Sequence, residues 1–204
     1  MHRAAHLLSL LLHPVWMPTL ALIIAFGIDP HLTFTFTRNG QWVIVGMVFV
    51  MTALFPVMSM FMLWRSGAVT ELAMPGRLER IVPFLLTLIY FCMAYYLLRR
   101  TPNSPVTLAL FAGIILSLVA DLVITLRWKI SMHTTGIGGI LGMLLGLMFL
   151  HGAHAWFLPL MFIVAGALGT ARLLVTDHTP AQVYAGALVG FAGTFLCLMF
   201  GIYY

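Results

Sequence analysis

The sequence predicts an all-α, polytopic membrane helix bundle with six to seven transmembrane helices, on three observations. Of 204 residues, 62% are apolar and only 7% are charged, whereas about a quarter of a soluble globular chain is charged. The apolar residues fall into runs close to the length, about 20 residues, that an α-helix needs to cross the hydrocarbon core. Between the runs lie short segments bounded by Arg, Pro, Gly, Asn or His, too brief to build a soluble domain. Residues 1–204 are therefore expected to form a single transmembrane domain.

The expected spans cover residues 7–28, 41–64, 81–98, 106–126, 135–150, 155–172 and 180–203. The first begins with a positive charge and an apolar run, like a signal peptide. It lacks a small-x-small cleavage site and stays apolar past Pro18, which predicts a retained span. The fifth run is the shortest and leaves the count between six and seven. Gly136, Gly139, Gly142 and Gly146 lie at spacings of three and four on the fifth span, as Gly186 and Gly190 do on the last. Such stripes let backbones approach closely, so these two helices are expected at the centre of the bundle. Cys92 and Cys197 sit within apolar runs without a CxxC or a neighbouring histidine, and read as packed thiols.

Alternation of sides puts the N-terminus and residues 65–80, 127–134 and 173–179 on one face of the membrane. That face carries Arg3, Arg65, Arg77, Arg80, Arg127, Lys129 and Arg172, against Arg38, Arg99 and Arg100 on the other. Positive loops are normally cytoplasmic. Cations that hold an anion inflate such a count, however, and setting aside Arg77, Arg80, Lys129 and Arg172 leaves three on each face. The orientation stays open on this ground. The net charge of +5 suits anionic headgroups or an anionic ligand, and the chain has no basic stripe of the kind that binds nucleic acid. The short, loop-poor chain suggests a bacterial inner membrane.

Three segments of the first face hold nearly all its ionisable groups: MPGRLERIVP (74–83), RWKISMHTTG (127–136) and ARLLVTDHTPAQVYAG (171–186). Arg172 closes one span, and His178, six residues on, stands near the start of the next, where backbone N–H groups and the helix dipole favour an anion. Guanidinium forks would hold a phosphate, and an imidazole in reach could attack phosphorus. His133, four residues after Lys129, is placed to protonate a leaving alkoxide. Arg77, Arg80 and Lys129 would complete the cationic pocket.

These segments resemble the type 2 phosphatidic acid phosphatase superfamily, which includes lipid phosphatases and vanadium haloperoxidases. ARLLVTDH is similar to the Ser-Arg-x5-His core of its third motif, and HTPAQVYAG to the His-x3-Asp-Val-x-Ala-Gly that follows. ISMH resembles Pro-Ser-Gly-His, and GRLERIVP occupies the place of the first motif, so the likeness covers about residues 74–190. The resemblance implies His178 as nucleophile, His133 as general acid, and Arg172, Ser131, Arg77 and Arg80 as phosphate holders, with no metal or other cofactor.

The chain departs from the family pattern at Gln182 for Asp, Met132 for Gly, Ile130 for Pro and Ala171 for Ser. The spacing of the first motif differs as well. The Asp would orient the nucleophilic histidine. Gln182 could do so without charge, or could act as the N3 residue of a capping box with Thr179 and Pro180. Asp177 and Asp121 are alternative sources of the carboxylate, and Asp121 could equally pair with Arg127 or Arg172. His2, His6 and His13 on one helical face, and His151 and His154 in a loop, read as interfacial packing, and Arg99 and Arg100 as a headgroup anchor.

The expected activity is hydrolysis of a lipid phosphate or diphosphate, of a phospholipid or a polyprenyl carrier, through a phosphohistidine. The alternative is a catalytically weak or inactive protein that binds lipid or serves as a partner subunit. A homo-oligomer or a place in a membrane complex is left open. A lipid transporter is a third reading, but the matching broken spans of an inverted repeat are not evident.

Overall fold

In a computed structural model of the chain, the described residues are 2–67, 81–153, 156–175 and 178–201. Among them are nine α-helices and no strand: α1 (His2–Leu11), α2 (Met17–Ile28), α3 (Arg38–Phe49), α4 (Phe55–Arg65), α5 (Ile81–Arg99), α6 (Pro105–Thr125), α7 (Met132–His151), α8 (Leu158–Val175) and α9 (Pro180–Phe200). They make seven segments long and apolar enough to span a membrane, with α1–α2 and α3–α4 each forming one interrupted span. The chain is thus a polytopic helix bundle of the integral membrane type. Its surface agrees, since large side chains such as Ile89, Phe149, Phe162 and Leu188 are exposed outward, where only lipid is a suitable solvent.

Both interruptions have a local cause. Pro14 and Pro18 lack the N–H that would continue the α1 ladder, so the chain makes a 3-10 turn over Pro14–Trp16 before α2 resumes. His13 caps that turn, its Nδ1 accepting the Val15 N–H at 3.4 Å. In the second span a π-helical stretch, Val50–Leu54, precedes Pro56. The wider turn absorbs the residue whose backbone donor proline removes.

The bundle is organised around α7 and α9. α7 is the most buried span, although the sequence marks it as the shortest and least certain. It has 20 residues, and the shortest span is instead α8 with 18. The apolar run understates α7 because Met132, His133 and Thr134 begin the helix before the run expected from residue 135. Glycine is what brings the two helices together, with partners that differ from the stripe read in the sequence. A Cβ on Gly138 would strike the Ala187 carbonyl, one on Gly142 the Phe191 carbonyl and Thr194, and one on Gly190 the Thr135 carbonyl. Gly138 is outside the expected stripe, while Gly136 faces Met17 of α2 and Gly146 faces Leu198. Thr194 fastens the crossing by donating its hydroxyl to the Gly139 carbonyl at 2.9 Å.

On the opposite face, His151 at the end of α7 is bonded through Nδ1 to Asp29 Oδ2 at 2.5 Å. Asp29 Oδ1 also accepts the His31 N–H. This pair ties the end of the first span to the end of the fifth. It corrects the reading of His151 as a packing residue in a loop; His154 and the side chain of His2 lie outside the described residues. Arg100 donates to the Tyr96 hydroxyl and stacks on its ring, in keeping with an interfacial anchor.

Gly190→Val should lower the melting temperature in detergent by about 5 °C or more, since overpacking forces the backbones apart. Gly46→Ala, where an added Cβ meets nothing within 4 Å, should leave it unchanged or raised.

Candidate functional site

A cavity of about 810 Å³ opens among the spans, and the basic side chains on its wall come from separate elements: His13 from the first-span break, Lys129 from the α6–α7 connection, His133 from α7, Arg172 from α8 and His178 from the start of α9. All five belong to one end of the bundle. The rest of the wall is largely apolar, with Val57, Met60, Phe61, Phe84, Leu86 and Phe91 from α4 and α5. A wall with few polar groups at one end and hydrocarbon beyond suits an amphiphile with an anionic head.

The ends of α7 and α9 meet because Gly186 lies against the Ser131 carbonyl and the Thr134 hydroxyl, where a Cβ could not fit. The Ser131 N–H also reaches the Gln182 carbonyl at 3.4 Å. His133 and His178 are thereby brought to the same cavity from two helices.

His178 is held through Nδ1, which lies 3.2 Å from Gln182 Oε1, and the same oxygen accepts the Thr179 N–H at 3.1 Å. The backbone donor fixes the amide with its oxygen inward, so Nδ1 is the donor in its bond to Gln182. The capping box is complete, with Thr179 Oγ1 accepting the Gln182 N–H. Both roles open to Gln182 are thus filled by one atom: it closes the helix start and orients the histidine.

His133 is held in the complementary sense. Its Nε2 lies 3.1 Å from the Ser9 carbonyl, which can only accept, so Nε2 carries a proton. The His13 ring stands edge-on to it, with centroids 5.2 Å apart. This placement corrects the reading of His13 as interfacial packing. The signal in the sequence is a histidine directly before a Pro-x-x-x-Pro break, because such a break turns a helix side chain out of register.

The remaining expected site residues divide. Arg172 and Lys129 line the cavity. Ser131 is fully buried and is not among the residues of the cavity wall. Its Oγ has no hydrogen-bond partner among the described residues, and it stands at the N-cap of α7 without capping it. Asp121 lines the cavity but accepts a bond from Thr135 Oγ1 at 3.1 Å. Among the described residues it neither contacts His178 nor pairs with Arg127 or Arg172, which corrects both readings of it. Arg77, Arg80 and Asp177 lie outside the described residues. No three His, Cys, Asp or Glu side chains converge among the described residues as a metal would require.

Comparison with known protein families, curated proteins and solved structures finds no match.

Gln182→Leu removes the acceptor shared by His178 and Thr179 and should cost about 1 kcal/mol in helix capping. Gln182→Glu, which keeps the acceptor, should melt like the wild type; equal losses in the two variants would show that the shared bond is not what holds this helix start.

Proposed function

We propose that the protein hydrolyses a lipid phosphate or diphosphate at the membrane interface, with His178 as nucleophile. The observation that carries this reading is the anchoring of two imidazoles in one cavity, His133 through Nε2 and His178 through Nδ1, with two cationic side chains on the same wall. In the proposed reaction Arg172 and Lys129 hold the phosphoryl oxygens and spread their charge. His178 Nε2 attacks phosphorus, and the P–O bond to the leaving group breaks. His133 takes up a proton at Nδ1 as the anionic phosphate binds and gives it to the departing oxygen, while the Ser9 carbonyl keeps the ring in place. Neutral His133 then takes a proton from water, whose oxygen attacks the phosphohistidine. The P–N bond breaks to release phosphate and restore His178. The apolar wall of α4 and α5 accommodates the lipid chain. The likeness to the phosphatidic acid phosphatase superfamily supports the same assignment, and the short-looped chain fits a bacterial inner membrane.

A second reading, lipid binding without turnover, is favoured by one observation. Gln182 orients His178 without the negative charge that would stabilise its imidazolium. In a Ser-His-Asp protease triad, the analogous Asp-to-Asn change lowers turnover by about four orders of magnitude.

Phosphate release by purified protein from phosphatidate, phosphatidylglycerophosphate and a polyprenyl diphosphate tests the choice. Histidine-dependent turnover is expected, abolished in His178→Ala and reduced about 10²- to 10⁴-fold in His133→Ala. Full activity in His178→Ala would refute the mechanism, and lipid binding without release from any substrate would establish the second reading.

A further inference from the structure

Asp121 is the acidic side chain on the cavity wall for which the proposed reaction has no use. It is 1% exposed on a transmembrane helix, where a carboxyl is costly and is retained chiefly for a partner or a function. Its Oδ1 accepts from Thr135 Oγ1 at 3.1 Å. Its Oδ2 has no hydrogen-bond partner among the described residues and belongs to a side chain that faces the cavity. Ser117 and Thr194, also on that wall, donate their hydroxyls to the Gly113 and Gly139 carbonyls, so their protons are already used.

The level of Asp121 in the bundle follows from its partner. Thr135 is two residues beyond His133 on α7, about 3 Å of helix rise, on the side away from the helix start. A ligand whose phosphate lies among Lys129, Arg172 and His178 would therefore place the atoms next to the phosphate ester beside Asp121. A polyprenyl or simple alkyl chain offers only hydrocarbon at that depth and leaves the carboxyl oxygen unpaired. A hydroxyl or amine a few bonds from phosphorus would satisfy it.

We propose that Asp121 is a specificity subsite for a hydrogen-bond donor carried beside the phosphate of the lipid, such as the free hydroxyl of a monoacylglycerol phosphate or the amino group of a long-chain amino-alcohol phosphate. The inference rests on the phosphatase reading and narrows its substrate. Sites built to bond a substrate hydroxyl reject the analogue without it much more strongly than apolar pockets reject a methylene, and Thr135 holds the carboxyl in one orientation.

The experiment compares kcat/KM for a 1-acylglycerol 3-phosphate, its 2-O-methyl ether and an alkyl phosphate of equal chain length, in wild type, Asp121→Leu and Thr135→Val. Wild type should prefer the free hydroxyl over its methyl ether by about tenfold or more, as expected when a buried polar atom is left without its partner. Asp121→Leu should bring that ratio close to one while retaining turnover of the alkyl phosphate, which also reports that the variant is folded. Thr135→Val should lower the ratio in part. Equal use of the hydroxyl and its ether by wild type overturns the subsite and leaves the phosphatase reading standing. The same follows if Asp121→Leu folds and the preference is undiminished. Absence of hydrolysis of all three by wild type overturns both.

Discussion

The close crossing of α7 and α9 is the contact on which the site depends. Between apolar helices in lipid there is no gain from leaving water, so association relies on packing and on hydrogen bonds between backbones held near one another. Gly138, Gly142, Gly186 and Gly190 permit that approach, and Thr194 bonds across it. Where the two helices begin, the same approach puts Ser131 beside Gln182 and so sets His133 and His178 on one cavity.

Each histidine is then held by an element with a structural task of its own. The Ser9 carbonyl that accepts His133 Nε2–H lies at the end of α1, just before Pro14 forces the break. The Gln182 oxygen that accepts from His178 is half of a helix cap. Neither of these two acceptors is charged, and each fixes its imidazole through a bond that also belongs to the backbone or to the helix cap.

Much of the fold is legible in the sequence because lipid imposes so few solutions. Apolar runs of the right length, punctuated by Pro, Gly and Arg, locate every span to within a few residues, and only α7 is undervalued by its run. Its first turn is polar and lines the cavity rather than facing lipid, so hydropathy passes over it. The convergence of Lys129, His133, Arg172 and His178 is also readable, since alternation alone puts them on one face. Side-chain partners are not. Gly138 looks like any glycine off the stripe, His13 like an interfacial residue, and Asp121 like half of an ion pair, because helix rotation and the two proline breaks decide those contacts and are not encoded in spacing alone. The tie between Asp29 and His151, 122 residues apart, is long-range in the same sense.

A covalent intermediate on His178 is the central claim, and trapping it is the most direct measurement. Purified protein mixed for milliseconds with a lipid labelled on its phosphoryl group with 32P, then quenched in base, should carry an acid-labile, base-stable label on the peptide containing His178, and His178→Ala should carry none. Turnover without any such label, or label that persists in His178→Ala, would contradict the account.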